Sequence, residues 1–184
     1  MIFRNCALLF AIVLHVEVFA ESQAPVKRPA KWQVATYQGL TLGKSKRADV
    51  ERTFGQPTWS GHPEDPSDNP VESLLSYEYQ DVGGFDGKTA VIMNRKSGVL
   101  TEIILYFDYQ RPVTKAEILA KYGSDFIERD DFALGPCPTV AEQKRYRKPE
   151  KPEGVFLVYP SKGMYVHIDY QHKAQELVFL TKCP

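Results

Sequence analysis

Apolar residues recur at helical spacing in two short stretches of this chain: Ala48, Val50 and Phe54 in the first, and Ala116, Ile118, Leu119 and Tyr122 in the second. The stretches align without a gap. Lys46-Arg47-Ala48-Asp49-Val50 with Phe54-Gly55 falls on Thr114-Lys115-Ala116-Glu117-Ile118 with Tyr122-Gly123. Each has its ends written in. Ser45 or the residue after it caps the first, Asp49 and Glu51 sit near its positive end, and Gly55 with Pro57 stops it. In the second, Thr114-x-x-Glu117 is a capping box and Gly123 closes the helix. Helices of roughly ten residues are unstable alone, so each is expected to bury one face on something.

Strand-like segments follow each helix, at 74–80, 89–95 and 100–107 and then at 155–159, 164–170 and 175–180. The connections within each set are short and turn-like, for example Gly83-Gly84-Phe85-Asp86-Gly87 and Gln171-His172-Lys173, which makes the strands antiparallel neighbours. The expected fold is α+β: two tandem helix-plus-antiparallel-β-meander repeats, spanning 36–108 and 109–184, with a helix on one face of each sheet. Two long helix-to-strand loops, 59–70 and 141–153, differ between the copies.

The chain opens with a different pattern. Arg4 precedes an apolar run from Cys6 to Leu14, and Val18 and Ala20 precede Glu21, which is the layout of a cleaved signal peptide over 1–20. The run is too short to cross a bilayer, and Cys6 stands at its start rather than its end, where a lipid-bearing cysteine would be needed. Residues 21–35, with Pro25, Pro29, Lys27, Arg28 and Lys31, read as a linker. The expected location is secreted or periplasmic, with no stable membrane insertion. Cys137 and Cys183 remain once the leader is gone, and a pair in an oxidising compartment is most simply a disulfide.

Lys and Arg total 23 and Asp and Glu total 23, so no charge excess points to nucleic acid. Ten Tyr and ten Phe suit sheets and contact surfaces.

The stretch from Gly39 to Pro57, with Gly39, Thr41, Val50, Phe54, Gly55 and Pro57 at their spacings, resembles the start of the BamE/SmpA/OmlA family of small bacterial envelope domains. Two such units resemble the arrangement of secreted β-lactamase inhibitor proteins, whose tandem copies join their sheets into a concave surface. This chain departs from the family in lacking a lipobox, in having Lys46 at the capping position, and in having Asp125 where the second copy would carry Pro57. The resemblance implies an envelope assembly or structural role and no functional residues.

No nucleophile elbow, phosphate loop or HExxH occurs. His167 and Asp169 lie on one side of a strand and could serve acid–base or metal chemistry, against a polar strand surface as the plainer reading. Lys144, Arg145, Arg147 and Lys148 could contact an anion. His62, Glu64, Asp65 and Asp68 have ligand types but no cation-loop spacing. The surface that stands out is the sheet face away from the helices, where Ile104, Tyr106, Tyr159, Tyr165 and His167, with Val178 and Leu180, are expected to meet a protein partner. The expected function is a non-enzymatic exported binding module with no cofactor and no metal.

Overall fold

The computed structural model describes residues 31–63, 71–129, 136–137 and 154–183. A small hairpin of β1 (Thr36–Tyr37) and β2 (Leu40–Thr41) leads into α1 (Arg47–Phe54). Then come β3 (Trp59–Gly61), β4 (Leu74–Gln80), β5 (Gly87–Asn94), β6 (Val99–Phe107) and β7 (Val113–Thr114). After α2 (Lys115–Tyr122) follow β8 (Ile127–Arg129), β9 (Gly154–Tyr159), β10 (Met164–Asp169) and β11 (Lys173–Leu180).

The helices form where the spacing and caps put them. Glu117 accepts from the Thr114 backbone N–H at 2.7 Å while its own N–H donates to Thr114 Oγ1 at 3.3 Å, the reciprocal box the sequence writes. At α1 only half of it forms: Asp49 accepts from the Lys46 N–H at 2.9 Å, and Ser45 Oγ instead takes the Thr41 N–H. Gly55 and Gly123 end the two helices at φ of 83° and 85°.

The expected α+β fold of two helix-plus-meander repeats is corrected by this architecture. Strand makes up 46% of the structure and helix 15%, so the fold is β-rich and mostly antiparallel. The physical reason is a pairing between distant strands. β6 pairs antiparallel with β11, and the strands run in one sheet ordered β3-β4-β5-β6-β11-β10-β9-β8, with β7 added on β11. Short strands β3, β7 and β8 lengthen it, whereas each α-helix has only eight residues.

One face of the sheet carries the main core. Val50 and Phe54 of α1 and Ile118 of α2 come down on Tyr77, Tyr79, Val91, Ile103, Leu105, Leu157, Val166, Leu177 and Phe179. The residues of the expected linker that are described, 31–35, belong to the packed structure: Ala35 is buried in this core, Trp32 packs on the opposite face, and Gln33 N–H donates to Pro160 O at 2.8 Å. Gly163, at φ 63°, permits the crossing, because a Cβ there would run into Gln33 O and the Ala35 backbone nitrogen.

Candidate functional site

The sheet face away from the helices is assembled by register. Lys88, Tyr106, Glu176, His167, Phe156 and Arg129 stand in one cross-strand row through β5, β6, β11, β10, β9 and β8. The adjacent row runs Ala90, Ile104, Val178, Tyr165, Val158 and Ile127. Ile104, Tyr106, Tyr165 and His167 therefore share this face, as the alternation of the sequence implies. Phe156, Val158, Tyr165 and Val178 form a buried apolar cluster on it, with Trp32, Ile104, Ile127 and Leu180 against them. Phe156 meets Tyr165 edge-on at 5.5 Å and lies 5.2 Å from the His167 ring.

Tyr159 does not belong to this face and is corrected. It pairs with Met164 at the core side, is fully buried, and donates its hydroxyl to Gly123 O at 3.1 Å. β9 is apolar on both faces, so alternation of apolar and polar residues gave no clue to which side Tyr159 takes.

Two residues that the sequence reading passed over sit among the tyrosines. Glu102 and Glu176 rise from adjacent strands β6 and β11 on the helix-free side. Burial, then the charge of Glu176, pushes the Glu102 carboxyl up to about 7, and burial raises that of Glu176 as well. The Tyr165 hydroxyl approaches Glu176 Oε1 at 3.5 Å. Burial and the nearby glutamates raise the Tyr165 phenol and push that of Tyr106 up to about 12. Lys88 lies 4.6 Å from the Tyr106 ring centroid, already paired with Glu78 at 3.3 Å. Among the described residues neither Glu102 nor Glu176 has an ion-pair partner. The signal was present: each is the one acid in its strand.

The chemistry imagined around His167 looks different in three dimensions. Asp169 accepts from the backbone N–H groups of Gln171 and Lys173 at 2.8 and 2.9 Å and from Gln175 Nε2 at 2.7 Å, which commits its carboxylate to the β10–β11 turn. Burial holds the His167 imidazole below its ordinary value, with Asp169 pulling the other way. His62 Nδ1 is 2.9 Å from Leu74 O. Glu64, Asp65 and Asp68, and the candidate anion contacts Lys144, Arg145, Arg147 and Lys148, lie outside the described residues. Among the described residues no group of three or more His, Cys, Asp or Glu side chains is placed to hold a metal ion.

Cys137 and Cys183 form the expected disulfide, with Cα atoms 5.2 Å apart and a sequence separation of 46. No helix among the described residues is long and apolar enough to cross a membrane.

The helix-bearing face holds a cleft of about 910 Å³. It opens between α2 and the β1–β2 hairpin, over Leu105, Leu177 and Phe179, and the glycine turn at Gly83 and Gly84 closes one end. That turn is tied to the hairpin by Gln38 Nε2 donating to Gly83 O at 2.5 Å. Comparison with protein-family models, curated proteins and solved structures finds no match to this chain.

Proposed function

We propose that this chain is an exported, non-enzymatic module that binds another protein through the helix-free face of its sheet. The observation that carries the reading is the gathering of Ile104, Tyr106, Tyr165 and His167 in two neighbouring rows of that face. Ile104, Tyr106 and His167 are half-buried there and offer contact area at small entropic cost, over a Tyr165 that is already buried beneath them. The carboxyl groups of Glu102 and Glu176, which have no ion-pair partner among the described residues, suit a partner that brings a lysine or arginine among its apolar groups. Export is supported by the leader pattern of residues 1–20 and by the disulfide, and the location that follows is secreted or periplasmic. The likeness of Gly39 to Pro57 to envelope assembly domains supports a second reading, in which the partner belongs to an outer-membrane assembly.

The test is site-specific photo-crosslinking of the exported chain in its own cell envelope and medium. A photoreactive residue replaces Tyr106 in one version and Lys121, on the helix-bearing side, in another. One discrete adduct from position 106 and none from position 121 is the expected result. Adducts from neither position, or from both alike, count against the face.

A further inference from the structure

We infer that the cleft between α2 and the β1–β2 hairpin binds a single-chain amphipathic carboxylate, a fatty acid, with its tail along the sheet and its head group at Lys121 and Lys162. It lies on the face opposite the proposed protein-binding surface and rests on separate observations.

The volume, about 910 Å³, falls within the roughly 300–1,000 Å³ typical of small-molecule sites. The depth of the cleft is apolar: Leu105, Ile118, Met164, Leu177 and Phe179 supply its buried lining. A ligand body placed there leaves water without gaining hydrogen bonds, so hydrocarbon fits and a polar body is penalised. The same argument disfavours a peptide. Strands β6, β11 and β10 are interior to the sheet and spend their backbone groups on each other, so no free edge lies beneath to receive a main chain.

The mouth selects charge. Three acids stand at it and each is committed: Asp86 to Arg111, Glu117 to the Thr114 cap, and Asp108 to the Gln110 N–H. Lys121 and Lys162 are exposed at the same mouth, and among the described residues neither has a carboxylate partner. Tyr37 and Tyr122 line the same cleft, and the Tyr122 hydroxyl makes no hydrogen bond to a described residue. Two ammonium groups and a phenol donor above an apolar floor match a carboxylate on a hydrocarbon chain.

The experiment titrates the full disulfide-bonded chain with dodecanoate below its micellar concentration, following methyl resonances by NMR, with dodecyltrimethylammonium as the cationic control. The expected result is saturable binding that moves the methyls of Leu105, Ile118 and Leu177. Affinity falls roughly tenfold in the Lys121→Glu/Lys162→Glu variant, and the cation leaves those methyls unmoved. Both lysines are exposed, and an unchanged melting temperature verifies that the variant folds. Absence of saturable binding, equal response to the cation, or shifts confined to Ile104 and Val178 on the other face would each overturn the assignment.

Discussion

The Tyr165 hydroxyl lies 3.5 Å from Glu176 Oε1, and burial raises the pKa of both groups, so each is pushed toward its uncharged form. Glu102, in the same neighbourhood, is held up to about 7 against an ordinary value of 4.5.

A carboxyl whose folded value is raised binds its proton more tightly in the native state. It favours folding fully below about pH 4.5, and that contribution is lost as pH rises through about 7. Glu102→Gln should therefore flatten the stability profile between pH 5 and 8 and stabilise the protein at pH 8, by on the order of 2 kcal/mol. His167, whose value is lowered, contributes the opposite slope below its ordinary value of 6.5 in both proteins, so the difference between them isolates Glu102. Urea unfolding at the two pH values measures it.

Reduction of the Cys137–Cys183 disulfide releases a loop closed across a sequence separation of 46. The chain-entropy model gives a loss on the order of 4 kcal/mol, for reductant or for Cys137→Ser with Cys183→Ser. Denaturant midpoints with and without reductant, beside a thiol count, measure the loss; a shift near zero would mean that the unfolded chain is already constrained.

Tyr159→Phe removes a hydrogen bond to Gly123 O and should cost about 1 kcal/mol. Tyr106→Phe should leave thermal stability unchanged, because among the described residues the Tyr106 hydroxyl has no hydrogen-bond partner. Equal losses in both variants would argue against placing these tyrosines on different faces in different roles.

Gly163→Ala forces a Cβ into the backbone of Gln33 and Ala35 at a positive φ. The expected cost exceeds about 1 kcal/mol. Because Trp32 lies on the helix-free cluster just before this crossing, its emission in a Trp59→Phe background should shift to longer wavelength as the segment lifts. Unchanged emission would show that the 31–35 segment does not depend on this turn.

Six long strands were legible because each has a local signature: a run rich in apolar, β-branched and aromatic residues bounded by glycine, proline or polar turns. Both α-helices were legible from their caps. The sheet as a whole was not, since the pairing of Ile104 with Val178 joins residues far apart in sequence and no local pattern encodes it. β3, β7 and β8 have only two or three residues each, too few to show a period. Local reading thus overweighted the helices and produced two layered repeats where a continuous sheet dominates. On the helix-free face, the parity of Tyr106, Tyr165 and His167 was readable, while the crowding that perturbs Glu102 and Glu176 depends on the inter-strand register. The cleft was beyond reach for the same reason: Tyr37, Lys121 and Lys162 come from three separate parts of the chain.

β11 is the last of the described strands in chain order yet lies in the middle of the sheet, between β6 and β10. The order of synthesis and the order of assembly therefore conflict. Until Lys173 to Leu180 arrives, β6 and β10 each present a long unpaired edge, the kind of surface that recruits strands from other molecules. A nascent chain is exposed to aggregation throughout that interval. Deleting this final strand would split the sheet at its centre rather than trim its border, so a premature stop shortly before residue 173 should yield insoluble material instead of a smaller folded protein.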